Sequence, residues 1–144
     1  MGRLTRLSAV LVACLAAAPA AFAHGAIALG EPADVAKDGL ALGWSADIAT
    51  PEKASEEALY WCHNVTEPPV KAETRALCKV VYTFSHECIA VVVDSEPHTP
   101  GWGWAKGATK EAALAEATAK CEAAAGPERA KFCKAQLNDC DVSP

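Results

Sequence analysis

Bulky apolar residues alternate with small or polar residues along several stretches of the chain, and this period of two predicts β-strands. The bulky positions are Ile27 and Leu29; Leu40, Leu42 and Trp44; Val80, Tyr82 and Phe84; Ile89, Val91 and Val93; and Trp102 and Trp104. The residues between them are mainly Ala, Gly, Lys and Thr. One bulky face and one small or polar face predict an antiparallel sheet with helices on a single face.

Two other stretches repeat small residues every four positions, which predicts helices that pack closely on a sheet. The stripes are Ala54, Ala58 and Cys62, and Ala113, Ala117 and Cys121. Thr50 and Thr109 precede these stretches and are suitable N-caps. Pro51 suits the first helical position, and Gly126-Pro127 stops the second helix.

The order of these elements repeats with a period of about 59 residues, measured from Cys62 to Cys121. Each half is predicted to run strand, strand, helix, strand, and the segment from Cys133 to Cys140 has the weakest strand pattern. We therefore expect an α+β fold with one domain over 24–144. It consists of two pseudo-symmetric units, about 24–87 and 88–144, with one antiparallel sheet and disulfide bonds.

The N-terminal residues 1–23 are typical of a secretory signal peptide. Arg3 and Arg6 precede an apolar run, and Ala21-Phe22-Ala23 is a small-x-small cleavage site. This predicts cleavage after Ala23 and a periplasmic or secreted protein beginning at His24. Leu11-Val12-Ala13-Cys14 also resembles a lipobox, so lipidation at Cys14 is the alternative.

Six cysteines follow this segment, and an exported domain of about 120 residues often uses disulfides to stabilise a modest core. No Cys-x-x-Cys pair is present, which disfavours a zinc or thioredoxin-like site. If the halves are equivalent, the short closure from helix end to strand start predicts Cys62–Cys78 and Cys121–Cys133. Cys88 and Cys140 are then left to join the two halves.

The charge balance restricts the partners. The chain has 13 basic and 18 acidic residues, and its net charge is −5. An acidic protein is a poor ligand for nucleic acid or anionic lipid. We expect a monomer whose partner is another envelope or secreted protein, with membrane contact only if Cys14 is acylated.

A resemblance supports this architecture. Gly25-Ala26-Ile27-Ala28, the segment 78–91 and Gly101-Trp102-Gly103-Trp104-Ala105 are similar to the small exported bacterial proteins of domain-of-unknown-function family 4189. The resemblance covers most of residues 24–140. It implies an exported, cysteine-containing domain, and it implies no reaction, cofactor or catalytic residue.

Three groups of residues could carry chemistry. At a mature N-terminus, His24 could chelate copper through its amine and imidazole, although no second ligand is fixed. Asp94, Glu96 and His98 alternate after a strand, but the neighbouring prolines favour a solvated loop. Trp44, Trp102 and Trp104 could form a ligand platform, but their alternation favours the core. Trp61 lies off the small stripe of its helix and is the better candidate for an exposed ligand or partner surface.

Three classes of function fit the sequence. The first is an exported, non-catalytic binding or inhibitor-type module of the bacterial envelope, with no cofactor and no catalytic residue. The second is a small copper-binding or hydrolytic exported enzyme that uses His24. The third is a lipid-anchored structural envelope protein. Small size, disulfides, acidic charge and the lack of a catalytic motif favour the first.

Overall fold

The computed structural model describes residues 23–66 and 70–141. Cys14 and almost all of the predicted signal segment 1–23 lie outside the described residues. The strands are β1 (His24–Gly30), β2 (Ala41–Ile48), β3 (Lys79–Phe84), β4 (Cys88–Asp94), β5 (Trp102–Gly107) and β6 (Cys133–Cys140). The helices are α1 (Val35–Asp38), α2 (Pro51–His63), α3 (Ala72–Ala76) and α4 (Lys110–Ala125), with a 3-10 turn at Ala130–Phe132.

The strands form two antiparallel sheets of three, in the orders β2-β1-β3 and β5-β4-β6. The α+β class, the antiparallel pairing and the strand, strand, helix, strand order of each half are confirmed. The strands do not form one continuous sheet, however. Each half forms its own sheet, because its central strand, β1 or β4, pairs with the other two strands of the same half.

The bulky faces of the two sheets pack against each other. The apolar layer between them is built from both halves: Ile27, Leu29, Phe84, Ile89, Val91 and Leu137, with Leu42, Tyr82, Trp102 and Trp104 at its margin. The small faces lie beneath the helices, with α2 on one side and α4 on the other. Helices therefore cover a single face of each sheet, as expected, and this is the small face, because the bulky face packs against the other sheet.

Small residues allow each helix to lie close to its sheet. Thr50 and Thr109 accept backbone hydrogen bonds from Lys53 and Ala112, which confirms both N-caps. The stripes at Ala54, Ala58 and Cys62 and at Ala113, Ala117 and Cys121 are fully buried. A Cβ atom on Gly43 would meet the backbone of α2, and one on Gly103 would meet the backbone of α4.

Each sheet contains a bulge at an equivalent place. Ile27 pairs with Tyr82 but Ala28 pairs with Val80, so Val81 is an extra residue in β3. Val91 pairs with Leu137 but Val92 pairs with Ala135, so β6 carries the same irregularity. The bulge moves Val80 to the helix side of its sheet, and its predicted place beside Tyr82 and Phe84 is therefore wrong.

The three disulfides are Cys62–Cys78, Cys121–Cys133 and Cys88–Cys140, as predicted. The first two each connect a helix end to the start of the next strand. The third connects β4 to β6 within one sheet, where Cys88 pairs with Cys140. It therefore does not join the halves, which are held together by the apolar layer and the short connection from β3 to β4.

Candidate functional site

Two tryptophans with exposed rings lie on the same side of the first half. Trp44 of β2 is 40% exposed and Trp61 of α2 is 52% exposed. Both line a cavity of about 520 Å³ together with Leu42, Ser45, Ala46, Glu57, Asn64, Val65 and Thr66. We call this set the Trp44–Trp61 surface. The exposure of Trp61 is confirmed, whereas the expectation that Trp44 lies in the core is wrong.

Two polar side chains of this surface use their hydrogen-bond donors within the protein. The Ser45 hydroxyl donates to the Ala54 carbonyl at 2.8 Å, and the Asn64 side-chain amide donates to the Tyr60 carbonyl at 2.7 Å. These donors are therefore used within the protein. Glu57 and Asn64 line the same cavity as the two rings. The Glu57 carboxylate suits a ligand that brings positive charge.

The exposure of Trp44 follows from a difference between the halves. Its equivalent in the second half is Trp104, since Trp44 pairs with Ile27 and Trp104 pairs with Val91. The Tyr82 ring lies against Trp104, with 5.5 Å between the ring centroids. At the position equivalent to Tyr82 the second half has Leu137, which is smaller. Trp44 therefore lacks a matching aromatic cover.

A hydrogen-bond network fixes the cover over Trp104. The Tyr82 hydroxyl donates to Glu87, and the Lys106 ammonium donates to the Tyr82 hydroxyl at 2.6 Å. The bond from Tyr82, aided by Lys106 and against partial burial, lowers the pKa of Glu87 below its ordinary value. These contacts keep Trp104 half-buried, so it does not join Trp44 and Trp61 in one surface.

A second cavity, of about 420 Å³, is also lined by Trp44 and extends to Trp102 and the loop after β4. Asp94, the last residue of β4, and His98 of that loop already have partners within the protein. Asp94 is paired with Arg129 through two hydrogen bonds, of 2.8 Å and 3.1 Å. Burial opposes ionisation, but the Arg129 guanidinium and the Glu96 backbone amide outweigh it and lower the pKa of Asp94.

The Nδ1 atom of His98 lies 3.2 Å from the Ala36 carbonyl oxygen. Of the residues that the structure describes, no three His, Cys, Asp or Glu side chains are grouped to hold a metal ion. His63 is the last residue of α2. His24 forms part of β1 and pairs with Ile48.

Two acidic residues, Asp94 and Asp141, are buried, which the sequence did not indicate. The Asp94–Arg129 pair spans 35 residues of sequence, and no local pattern connects its members. Asp141 follows the weakest predicted strand and is 1% exposed. Its burial could not be inferred from the sequence, because the residues around it form a polar C-terminal segment.

Comparisons with known proteins give a family and no activity. Within the described ranges 23–66 and 70–141, no helix is long and apolar enough to cross a membrane. No curated protein and no solved structure matches the chain. A match to the family described as Domain of unknown function (DUF4189) covers residues 24–140. The two-sheet architecture with its three disulfides thus fills the matched region, and the chain belongs to the DUF4189 family.

Proposed function

We propose that the protein is an exported, non-catalytic binding module of the bacterial envelope, and that the Trp44–Trp61 surface holds its partner. One observation carries the proposal: two exposed tryptophan rings share a cavity in one half, while the equivalent ring in the other half is covered by Tyr82. Exposed tryptophans in a concave surface are characteristic of the residues that dominate binding energy at interfaces.

The chemistry of the surface favours a basic group. A lysine or arginine side chain can lie over a tryptophan ring and be attracted by its electrons. Glu57 lines the same cavity as both rings and supplies a negative charge, and the chain as a whole carries a net charge of −5. The partner is therefore a basic segment of another envelope or secreted protein.

The alternative of a hydrolytic or copper enzyme has less support. All six cysteines of the described chain are in disulfides, so none of them is a free nucleophile. The Ser45 hydroxyl donates a hydrogen bond to a backbone carbonyl, and the charge of Asp94 is neutralised by Arg129.

The third class, a lipid-anchored structural protein, depends on acylation of Cys14. Intact-mass measurement of the exported protein separates it, because acylation retains Cys14 and adds the mass of the lipid.

The test is capture of a partner from the envelope fraction by the oxidised protein and by two alanine variants. Trp61→Ala should reduce retention of the partner by roughly 30-fold, the loss typical of a central interface residue. Leu77→Ala is the matched control, because Leu77 is 49% exposed and does not line either cavity. Equal retention by both variants and the unaltered protein would contradict the proposal.

A charge variant tests the basic partner separately. Glu57→Gln should weaken binding and reduce its dependence on salt. Glu56→Gln is the control, since this neighbouring residue is also exposed on α2 but lies outside the cavity lining. An affinity that is lowered equally by both changes would indicate general charge attraction and not recognition at the Trp44–Trp61 surface.

A further inference from the structure

Asp141 presents an unbalanced charge inside the protein. Its side chain is 1% exposed, and neither carboxylate oxygen has a hydrogen-bond partner among residues 23–66 and 70–141. A buried carboxylate without partners is strongly unfavourable, so folded proteins supply it with donors or a counter-ion. The described chain contains the acid but not the group that balances it.

The strand connections place the start of β1 at the same end of the sandwich. Gly25 of β1 pairs with Phe84 at the end of β3, and Cys88 at the start of β4 pairs with Cys140 at the end of β6. The three residues 85–87 connect these two places. The Asp141 backbone N–H donates to the Glu87 carbonyl at 3.0 Å. Asp141 and the start of β1 are therefore neighbours across the two sheets.

The charged groups around Asp141 agree with this placement. Burial raises the pKa of Asp141, and the nearby carboxylate of Asp47 raises it further. His24 and His86 act in the opposite direction, so the first residue of β1 is within electrostatic reach. Ala23, immediately before it, is buried. A positive charge created at this junction would be close to the carboxylate.

We propose that Asp141 is the buried counter-ion of the α-ammonium group that is formed at His24 when a signal-processing protease cleaves after Ala23. Water adds across the Ala23–His24 peptide bond, so that Ala23 gains a carboxylate and His24 gains an amine, which takes up a proton. The ammonium has three donors, where the peptide bond offered one. The proposal rests on the export part of the proposed function and does not involve the Trp44–Trp61 surface.

This pairing would make processing a folding step. Before cleavage the buried carboxylate opposes folding, because its pKa is raised and it must either hold a proton or remain unpaired. After cleavage the ammonium stabilises the ionised form of Asp141, and the ion pair connects the start of β1 to the end of β6. The folded sandwich is then most stable only in the exported, processed chain.

Four oxidised proteins test the pairing: residues 24–144 and residues 22–144, each with Asp141 or with Asp141→Asn. The chain that begins at His24 should melt roughly 5 °C or more above the longer chain at pH 7. Asp141→Asn should lower the melting temperature of the shorter chain and leave unchanged or raise that of the longer one. Asp139→Asn, at a half-exposed acid that pairs with Lys110, should act equally on both.

The α-amine provides a second readout that does not depend on stability. Its pKa, measured by NMR or by the pH dependence of reductive methylation, should lie above the ordinary range of about 7.7–8.0 and return to it in Asp141→Asn. An α-amine that titrates in the ordinary range, or equal melting temperatures for the two chain lengths, would overturn the pairing. Loss of partner capture with the pairing intact would instead count only against the proposed function.

Discussion

The two halves have the same framework but use it differently. Both place a glycine under the helix backbone, at Gly43 and Gly103, and both close the helix onto the next strand with a disulfide. The differences lie at the edges of this framework. Trp44 of the first half is exposed, whereas Trp104 of the second half is covered by Tyr82 from the first. The contacts between helix and sheet occur twice, whereas the candidate binding surface is formed only once.

A second difference concerns how the far end of each central strand is held. In the first half a Cβ on Gly30 would meet the Thr74 backbone, so this contact is a close approach of two backbones. At the equivalent positions the second half has Asp94 and Arg129, which form an ion pair. The first half thus uses close packing where the second half uses charge, and the two should respond differently to acid.

The largest predicted effect is at the disulfide without a counterpart. His24 occupies the position in the first half that is equivalent to Cys88. Replacing Cys88 and Cys140 together by alanine should lower the free energy of unfolding by about 4 kcal/mol, because this bond closes the longest loop, of 52 residues. Urea denaturation measures the loss. Removing Cys121 and Cys133, 12 residues apart, should cost about 3 kcal/mol, and the reverse order would contradict the loop argument.

The next effect tests whether the helix contacts are equivalent. Gly43→Ala and Gly103→Ala should each lower the free energy of unfolding by about 1–3 kcal/mol, because a Cβ would force the helix away from the sheet. At Gly103 the added atom would lie 2.8 Å from the Ala117 carbonyl oxygen. Thermal or urea unfolding checks both. Gly126→Ala is a useful contrast, since its φ of 85° makes the change a matter of backbone strain without a clash. Tolerance of alanine at one site only would show that the helices pack differently.

The ion pair should give a pH-dependent effect in the second half. Arg129→Met should lower the free energy of unfolding by about 2 kcal/mol at pH 7, because Asp94 is left buried without its partner and Arg129 is itself partly exposed. The lowered pKa of Asp94 means that the pair stabilises the fold above the ordinary carboxyl pKa, near 3.9, and that this contribution is lost as the pH falls through the folded value. Urea denaturation between pH 7 and pH 3 should show the difference between variant and unaltered protein shrinking. Lys131→Met is the control, and a difference independent of pH would contradict the assignment.

The smallest effect is at the aromatic cover. Tyr82→Leu gives the first half's third strand the residue that the second half has, and it should cost about 1–2 kcal/mol through the lost ring contact and hydrogen bond to Glu87. Acrylamide quenching of tryptophan fluorescence should increase as Trp104 becomes exposed. Tyr60→Leu, at an exposed position, should leave the free energy of unfolding nearly unchanged. Unchanged quenching in Tyr82→Leu would show that Trp104 is protected by something other than Tyr82.

The local architecture could be predicted from the sequence because its causes are local. Alternation gave the strands, the four-residue stripes gave the helix faces, and short closures gave the disulfide between Cys62 and Cys78. The packing of sheet on sheet could not be predicted in this way, because the same bulky face can be covered by a helix or by another sheet. Val80 shows a second limit, since a single extra residue at Val81 reverses the side to which it points.

The candidate surface was only half visible in the sequence. Trp61 stood out because its position on the helix differs from that of Ala54 and Ala58. The exposure of Trp44 could not be predicted, because Trp44 follows the same alternating pattern as buried residues. It depends on the small size of Leu137, 93 positions later in the chain. Asp141 is similar, since only the meeting of β3, β4 and β6 at one end encloses it.

The strands of each half are contiguous along the chain, and only residues 85–87 connect the halves. Every strand pair therefore forms between segments that are made close together in time, and the two sheets then meet mainly through their apolar faces. A second copy of the chain presents the same two faces, so the sandwich can close between molecules as well as within one. A longer connection at residues 85–87 makes closure within one chain easier, and a shorter one favours exchange of halves between copies. We therefore expect that a change in the length of this connection alters the balance between closure within one molecule and exchange of halves between two.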